Sequence, residues 1–200
     1  MAIGGKEEVL AVAAVVFRFG LAVVFLLSGL AKLPLRAEFV EAVKNYKLVP
    51  DRVGEVIGKV LPPVELAAGA LLALGLGVRP VAALLGLFLL AFSGAVAINL
   101  LRGRTIDCGC FGPVGPRRIT WLTVARNVIL IAAAGVVVAE GPTPLALDRF
   151  VPGTASPKLS TSSALALVVA TSLAIVAATL AQEWRRVVPL VRAEERRSQA

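Results

Sequence analysis

The residues of this chain best suited to chemistry are its only two cysteines, Cys108 and Cys110, which a single glycine separates. The chain has no histidine, the commonest acid–base group at neutral pH. Cysteines two residues apart can reach the Cα separation that a disulfide tolerates, and Gly109 has no side chain to obstruct the small ring. Such a bridge closes a very short loop, so it would stabilise the fold little and would be reduced easily. The pair predicts a redox-active dithiol.

Positive charge surrounds the two cysteines in the sequence. The basic neighbours are Arg102, Arg104, Arg117 and Arg118. These charges, and the N-terminus of the apolar segment that follows, favour a thiolate over a thiol. Asp107 opposes this effect at Cys108, but its carboxylate is placed to accept or relay a proton. We therefore expect Cys110 to be the more stabilised thiolate, with Cys108 as its partner.

Two other uses of the cysteines stay open. A structural zinc site needs four ligands, so two cysteines without histidine could hold a metal only between subunits. We expect no metal site within the chain. Free cysteines are also often small, buried apolar residues without any chemistry, and the pair could be inert.

The elements that carry this pair are predicted to be membrane-spanning helices. Apolar residues make up 58% of the 200 residues. Five stretches meet the requirement of roughly 20 residues for a spanning helix. They are Val9–Leu33, Val53–Leu76, Ala82–Leu101, Ile119–Ala139 and Ala164–Gln182. We predict an all-α polytopic membrane protein, with a four-helix transmembrane bundle and a fifth, C-terminal transmembrane helix.

This pattern divides the chain into three parts. Residues 1–140 form the four-helix membrane domain, 141–163 a Pro-rich exposed linker, and 164–200 the last transmembrane helix with its basic tail. Arg18 and the length of the first span favour a retained helix over a signal peptide. Ala37–Leu48 is predicted to be an amphipathic helix at the membrane interface. Pro62-Pro63 should kink or divide the second span.

Three charged residues fall inside the predicted spans, where charge is costly and marks either function or a buried pair. Arg18, Glu65 and Arg126 lie at similar depths, so we predict one buried cluster. Asn127 and Asn99 lie nearer its cysteine end. The cluster either pins the helices together or binds a polar head group such as a quinone carbonyl. We expect Lys32 and Lys59 to extend to the interface.

The net charge of +8 reflects basic residues that flank the spans. Most of them lie on one side of the predicted membrane, the side that also carries the cysteine loop and the C-terminal tail. The positive-inside rule places this side in the cytoplasm. The other side holds only Lys6, Arg79, Arg149 and Lys158. Because the basic residues do not alternate with aromatic ones, we expect anionic lipid as a partner and no nucleic acid.

An ordered series of motifs resembles the MauE family of methylamine utilisation membrane proteins, within the broader DoxX-like group. The series covers roughly residues 10–138. Its members are Arg18–Lys32, Asn45–Pro50, Leu61–Leu66, Asn99–Gly103, Asp107–Gly112, Trp121 and Arg126-Asn127. Cys108 and Cys110 match the cysteine pair of the family. Its polar positions are matched by Arg18, Lys32, Glu65, Asn99, Arg126 and Asn127.

The resemblance implies a four-helix membrane bundle in the bacterial plasma membrane that works with a thioredoxin-like partner. It also implies a role in the maturation of methylamine dehydrogenase, whose small subunit is rich in disulfides. Delivery of disulfides to an exported enzyme suggests an outward-facing pair, whereas the charge bias places the pair inside; a re-entrant loop would reconcile the two.

The expected function is therefore thiol–disulfide exchange, the reaction of an oxidoreductase, through Cys108 and Cys110. One alternative is a non-catalytic scaffold for a redox enzyme complex, in which the cysteines are incidental. A second alternative is a small transporter that uses the charged cluster as a polar path.

Overall fold

The computed structural model describes residues 3–104, 106, 118–141 and 146–150. This part of the chain is all-α, as predicted. It forms the helices α1 (Ile3–Lys32), α2 (Arg36–Asn45), α3 (Asp51–Leu74), α4 (Val78–Leu101) and α5 (Trp121–Glu140), followed by a short 3-10 helix (Leu147–Phe150). The predicted fifth span and the basic tail lie outside the described residues.

Four of these helices are long and apolar enough to cross a membrane. The spans are Val9–Lys32, Asp51–Leu74, Val78–Leu101 and Trp121–Glu140. They confirm the first four predicted spans to within a few residues. Helices suit this role because they satisfy their own backbone hydrogen bonds where lipid offers no partner.

The four spanning helices form a bundle in which each contacts two neighbours. Helix α1 packs against α3 and α5, and α4 packs against α5 and α3. At one end α4 finishes and α5 starts, so we call it the cysteine-loop end, because residues 107–117 connect the two. At the other end the turn Gly75–Gly77 joins α3 to α4, and we call it the strap end for reasons given below.

Small residues let α1 and α3 approach closely. A Cβ added at Gly29 would lie 2.6 Å from Leu66 Cγ, and one added at Gly69 would lie 3.1 Å from the Ala22 carbonyl oxygen. Lipid tails are as apolar as leucine, so association of spanning helices depends on such close packing. The apolar core that results lies between the helices near the strap end. It includes Leu21, Phe25, Leu72, Leu85 and Val137.

Helix α2 confirms the prediction of a separate amphipathic helix, and it packs on the first part of α3. Phe39 and Val40 are buried there. Contact depends on Gly58, where an added Cβ would lie 2.8 Å from Val40 Cα. Further along α3, the chain remains helical through Pro62 and Pro63. The expected division of this span into two pieces is therefore not observed.

Residues Ala146–Phe150 fold back over the strap end, and we call them the strap. Asp148 accepts hydrogen bonds from the backbone amides of Gly77 (2.9 Å) and Val78 (2.8 Å). Its carboxylate thus caps the N-terminus of α4, where the helix dipole favours negative charge. Gly75 has φ +71°, and a Cβ there would collide with Ala146. These residues were predicted to lie in an exposed linker, which is wrong for Ala146, since only 1% of it is exposed.

We expect Gly58→Ala to loosen α2 from α3, because the new methyl group meets backbone that cannot rotate away. Overpacking of this kind costs about 1–3 kcal/mol. Gly94→Ala is the matched control, since an added Cβ there meets nothing within 4 Å. Thermal unfolding in detergent should show a lower Tm for Gly58→Ala only. An equal Tm for both variants would contradict the packing described here.

Candidate functional site

The chain that leaves α4 toward the cysteines is held by a buried asparagine. Asn99 Nδ2 donates to the carbonyl oxygens of Tyr46 (3.2 Å) and Ala95 (3.0 Å). Arg104 Nη1 donates to the same Tyr46 oxygen (3.1 Å) and to Asn99 Oδ1 (3.0 Å). Asn99 is fully buried in the last turn of α4. These bonds fix the start of the cysteine loop to the connection between α2 and α3.

A backbone hydrogen bond closes the base of the same loop. The Ile119 amide donates to the Ile106 carbonyl at 3.0 Å. Ile119 is buried with Tyr46 and Val96 in a second apolar cluster. Burial raises the pKa of the Tyr46 phenol, so this side chain stays neutral. Thr120 then caps α5 by accepting from the Thr123 amide at 3.4 Å. We call the Asn99–Arg104 bonds and the Ile106–Ile119 bond together the loop base.

Asp107, Cys108 and Cys110 lie outside the described residues. Their predicted roles therefore stay predictions.

A buried ion pair joins α1 and α3. Lys32 Nζ lies 2.7 Å from both carboxylate oxygens of Glu65. Ser28 donates to the second of these oxygens at 3.3 Å, and the ammonium lies 4.8 Å from the centre of the Phe39 ring. The Lys32 side chain is 4% exposed and that of Glu65 is 8% exposed. The pair satisfies two charges that lipid could not solvate.

The ion pair corrects two predictions. Glu65 pairs with Lys32 in α1 instead of bridging Arg18 and Arg126, and Lys32 does not extend to the interface. The spacing of Ser28 and Lys32, four residues apart on one helix face, is the signal that could have indicated this partner. Lys59 is exposed, as expected, and pairs with Glu55 at 2.6 Å.

Arg18 lies toward the strap end, away from the loop base. It is fully buried, and its guanidinium stands 4.2 Å from the centre of the Phe19 ring. It interacts electrostatically with Asp148 of the strap. Asp148 was missed in the sequence because it follows the last helix of the bundle and lies among prolines typical of a linker.

The remaining two predicted residues lie in the second turn of α5. Arg126 is half-buried, whereas Asn127 is 2% exposed. The structure thus distributes the five predicted polar residues along the bundle. Asn99 lies at the loop base, Glu65 pairs with α1, and Arg18 faces the strap.

Comparison with known proteins assigns this arrangement to a family. The family model described as Methylamine utilisation protein MauE matches residues 10–140. The chain belongs to the MauE family. Its MauE region contains the four spanning helices, the loop base and the buried ion pair, so the protein is a multi-pass membrane protein of the bacterial plasma membrane.

Individual MauE proteins give the same result. The chain is 42% identical over 118 residues to "Methylamine utilization protein MauE" of Paracoccus denitrificans, which is 58% of this chain and 63% of the relative. For the Paracoccus versutus protein of the same name, identity is 43% over 57% of this chain and 62% of the relative. These alignments thus span less than two thirds of either relative. The Methylophilus methylotrophus protein is 35% identical over 74% of this chain and 77% of its own length. No solved structure matches the chain.

Removing one partner of the buried ion pair should destabilise the protein strongly. We expect Glu65→Gln to cost about 3–5 kcal/mol, because Lys32 then keeps an uncompensated charge. The double variant Lys32→Met, Glu65→Leu should recover much of this loss. Chemical denaturation in mixed micelles measures the free energy of unfolding of each variant.

The exposed pair Glu55–Lys59 provides the control on the same helix. Glu55→Gln should change stability by less than about 1 kcal/mol. If Glu65→Gln were no more destabilising than Glu55→Gln, Glu65 would not be a buried counter-ion.

Asn99→Ala should loosen the loop base. The variant removes two donated hydrogen bonds and one accepted one, each contributing about 1 kcal/mol. The Ile119 amide should then exchange with deuterium at least about fivefold faster. Arg102→Gln serves as the control, because Arg102 is exposed. Unchanged exchange in Asn99→Ala would show that this side chain does not hold the loop.

Proposed function

We propose that this MauE-family protein is a membrane thiol–disulfide oxidoreductase in which Cys108 and Cys110 exchange electrons with a thioredoxin-like protein. The observation that carries the proposal is the loop base. Hydrogen bonds from the buried Asn99 and the half-buried Arg104, and the Ile106–Ile119 bond, hold both ends of the segment that contains the only two cysteines at one end of the bundle. A reactive pair needs such support, because a partner protein must find both sulfurs in a reproducible place.

The proposed chemistry conserves atoms and electrons. In one direction, one thiolate attacks a disulfide of the partner, and a mixed disulfide forms as the leaving sulfur departs. The second thiolate then attacks the mixed disulfide, which yields the Cys108–Cys110 disulfide and the partner's dithiol. Two electrons pass to the partner, and the two protons lost by the thiols are taken up by its sulfurs. The reverse sequence oxidises the partner.

The flanking charges support this role. The attacking group is a thiolate, and nearby cations lower the pKa of a thiol. Arg104 carries its charge four residues before Cys108, and its guanidinium is held by Asn99 and the Tyr46 carbonyl. Asp107 would accept the proton of the neighbouring Cys108 thiol as it becomes a nucleophile.

The family indicates the context of the reaction. The relatives are named methylamine utilization proteins. We infer that the chain serves that process, through disulfide formation or exchange during maturation of a methylamine dehydrogenase. The substrate in this proposal is a cysteine-rich protein rather than methylamine.

The ion pair favours a second candidate function. The Lys32–Glu65 ion pair joins α1 to α3 and does not use the cysteines. A non-catalytic scaffold for a redox complex would need structural contacts of this kind. The two candidates differ in one respect. A scaffold keeps its activity when both cysteines are serine, whereas an exchanger loses it.

A redox titration tests the proposal directly. The protein in lipid nanodiscs is equilibrated in glutathione buffers of graded potential, and free thiols are then alkylated with a maleimide that adds mass. Both thiols should disappear together in one two-electron transition. Cys108→Ser and Cys110→Ser should each show no such transition, while circular dichroism confirms that they fold. Two thiols that stay reduced at every potential would refute the exchange reaction.

A trapping experiment tests the partner. A thioredoxin-like protein without its resolving cysteine should form a mixed disulfide with the membrane protein. This adduct should be lost in the variant with both cysteines replaced by serine. If methylamine-dependent growth persisted in that serine variant, the scaffold function would be favoured instead.

A further inference from the structure

The register of α4 against α5 places two buried polar side chains opposite each other. A Cβ added at Gly86 would lie 3.5 Å from Ala134 Cβ, so these residues face each other across the interface. The helices run in opposite directions, since Val96 of α4 packs near Ile119 at the start of α5. Counting seven residues toward the cysteine-loop end leads to Ser93 on α4 and Asn127 on α5.

Seven residues are nearly two full turns, so Ser93 and Asn127 lie on the same helix faces as Gly86 and Ala134. Both residues lie about 10 Å along the helix axes from the contact between Gly86 and Ala134. Ser93 is 7% exposed and Asn127 is 2% exposed. Both side chains therefore point into the protein at one depth, within the hydrocarbon-spanning part of the helices.

Each side chain has one buried polar atom without a hydrogen-bond partner in the described part of the chain. Ser93 Oγ and Asn127 Nδ2 have no hydrogen-bond partner there. Buried polar groups in proteins nearly always have a partner, and the cost of leaving one unpaired is greatest where the surroundings are apolar. By contrast, the other buried asparagine, Asn99, uses both its donor and its acceptor.

The two unpartnered atoms, Ser93 Oγ and Asn127 Nδ2, determine which kind of ligand could bind between them. An asparagine amide nitrogen only donates, and a serine hydroxyl can donate as well, so the missing group supplies an acceptor oxygen. The outer face of the same helix is apolar, since Val128 and Ile129 are exposed there. A molecule that reaches the two groups from the lipid would therefore also need an apolar portion. A carbonyl group attached to an apolar molecule supplies both the acceptor oxygen and the apolar portion.

We propose that Ser93 and Asn127 bind the carbonyl oxygen of a lipid-soluble molecule between α4 and α5. Two molecules of a bacterial membrane carry such an oxygen, an isoprenoid quinone and the ester linkage of a phospholipid. Both would be held by the same two donors. The proposal does not depend on thiol exchange, since neither Ser93 nor Asn127 takes part in that proposed reaction.

The quinone arm of the test uses fluorescence. In a Trp184→Phe background, Trp121 is the only tryptophan, and it lies about 9 Å along α5 from Asn127. Decylubiquinone titrated into nanodiscs should quench Trp121 saturably. Asn127→Leu should weaken this binding at least about fivefold, as expected for a lost hydrogen bond. Ser93→Ala should weaken it in the same direction.

The phospholipid arm compares nanodiscs of ester-linked and ether-linked lipids with the same chains. If an ester carbonyl is the ligand, the protein should have a higher Tm in the ester lipid. This difference should disappear in Asn127→Leu and shrink in Ser93→Ala. Ser28→Ala makes the same chemical change in the α1–α3 interface and should leave both readouts as in the wild type.

Either arm supports the proposal if the effect depends on Asn127 or Ser93. Equal quenching in all variants together with no lipid-dependent Tm would overturn it. That result is expected if only a buried water bridges the two side chains. Should Asn127→Leu fail to fold, Ser93→Ala decides. Repeating both arms with the two cysteines replaced by serine separates this proposal from the redox function, because carbonyl binding should survive that change.

Discussion

The bundle depends on one constraint: the hydrocarbon of the bilayer offers no hydrogen bonds, so a charged group inside it needs a partner close by. Lys32 and Glu65 meet this constraint across α1 and α3. Their attraction also favours the observed register of the two helices, because it brings the ammonium within 2.7 Å of the carboxylate. The small residues Gly29 and Gly69 then allow the backbones to approach in that alignment. Electrostatics and packing thus specify the same pairing.

The same constraint explains why the sequence predicts the membrane spans well and the partners of the buried polar side chains poorly. Apolar stretches of about 20 residues suffice to indicate spans, because length and composition alone decide whether a helix can cross. The partner of Glu65 was not readable in this way. Estimates of depth placed Arg18 and Arg126 near it, but a side chain's partner depends on which faces of the helices meet. Lys32 was expected at the interface because it ends its helix, yet α2 and Phe39 cover it. Pro62 and Pro63 were expected to kink or divide α3, and the helix continues through them undivided.

Asn99 illustrates how a polar residue can serve a site without touching a ligand. The sequence placed it near a predicted polar cluster that would either pin the helices together or bind a polar head group. In the structure, its amide joins the end of α4 to Arg104 and to the connection between α2 and α3. The connection between α2 and α3, which is 53 residues away in sequence, thus meets the end of α4 at one buried side chain. The proposed chemistry of Cys108 and Cys110 would depend on this support.

The strap joins two parts of the bundle that are far apart in sequence. Asp148 binds the first amides of α4, so the strap is anchored at the end of the bundle opposite the loop base. The Asp148 amide itself donates to the Gly75 carbonyl at 3.0 Å. The turn between α3 and α4 and the segment after α5 therefore share a single anchor, and a substitution at position 148 would release both at once.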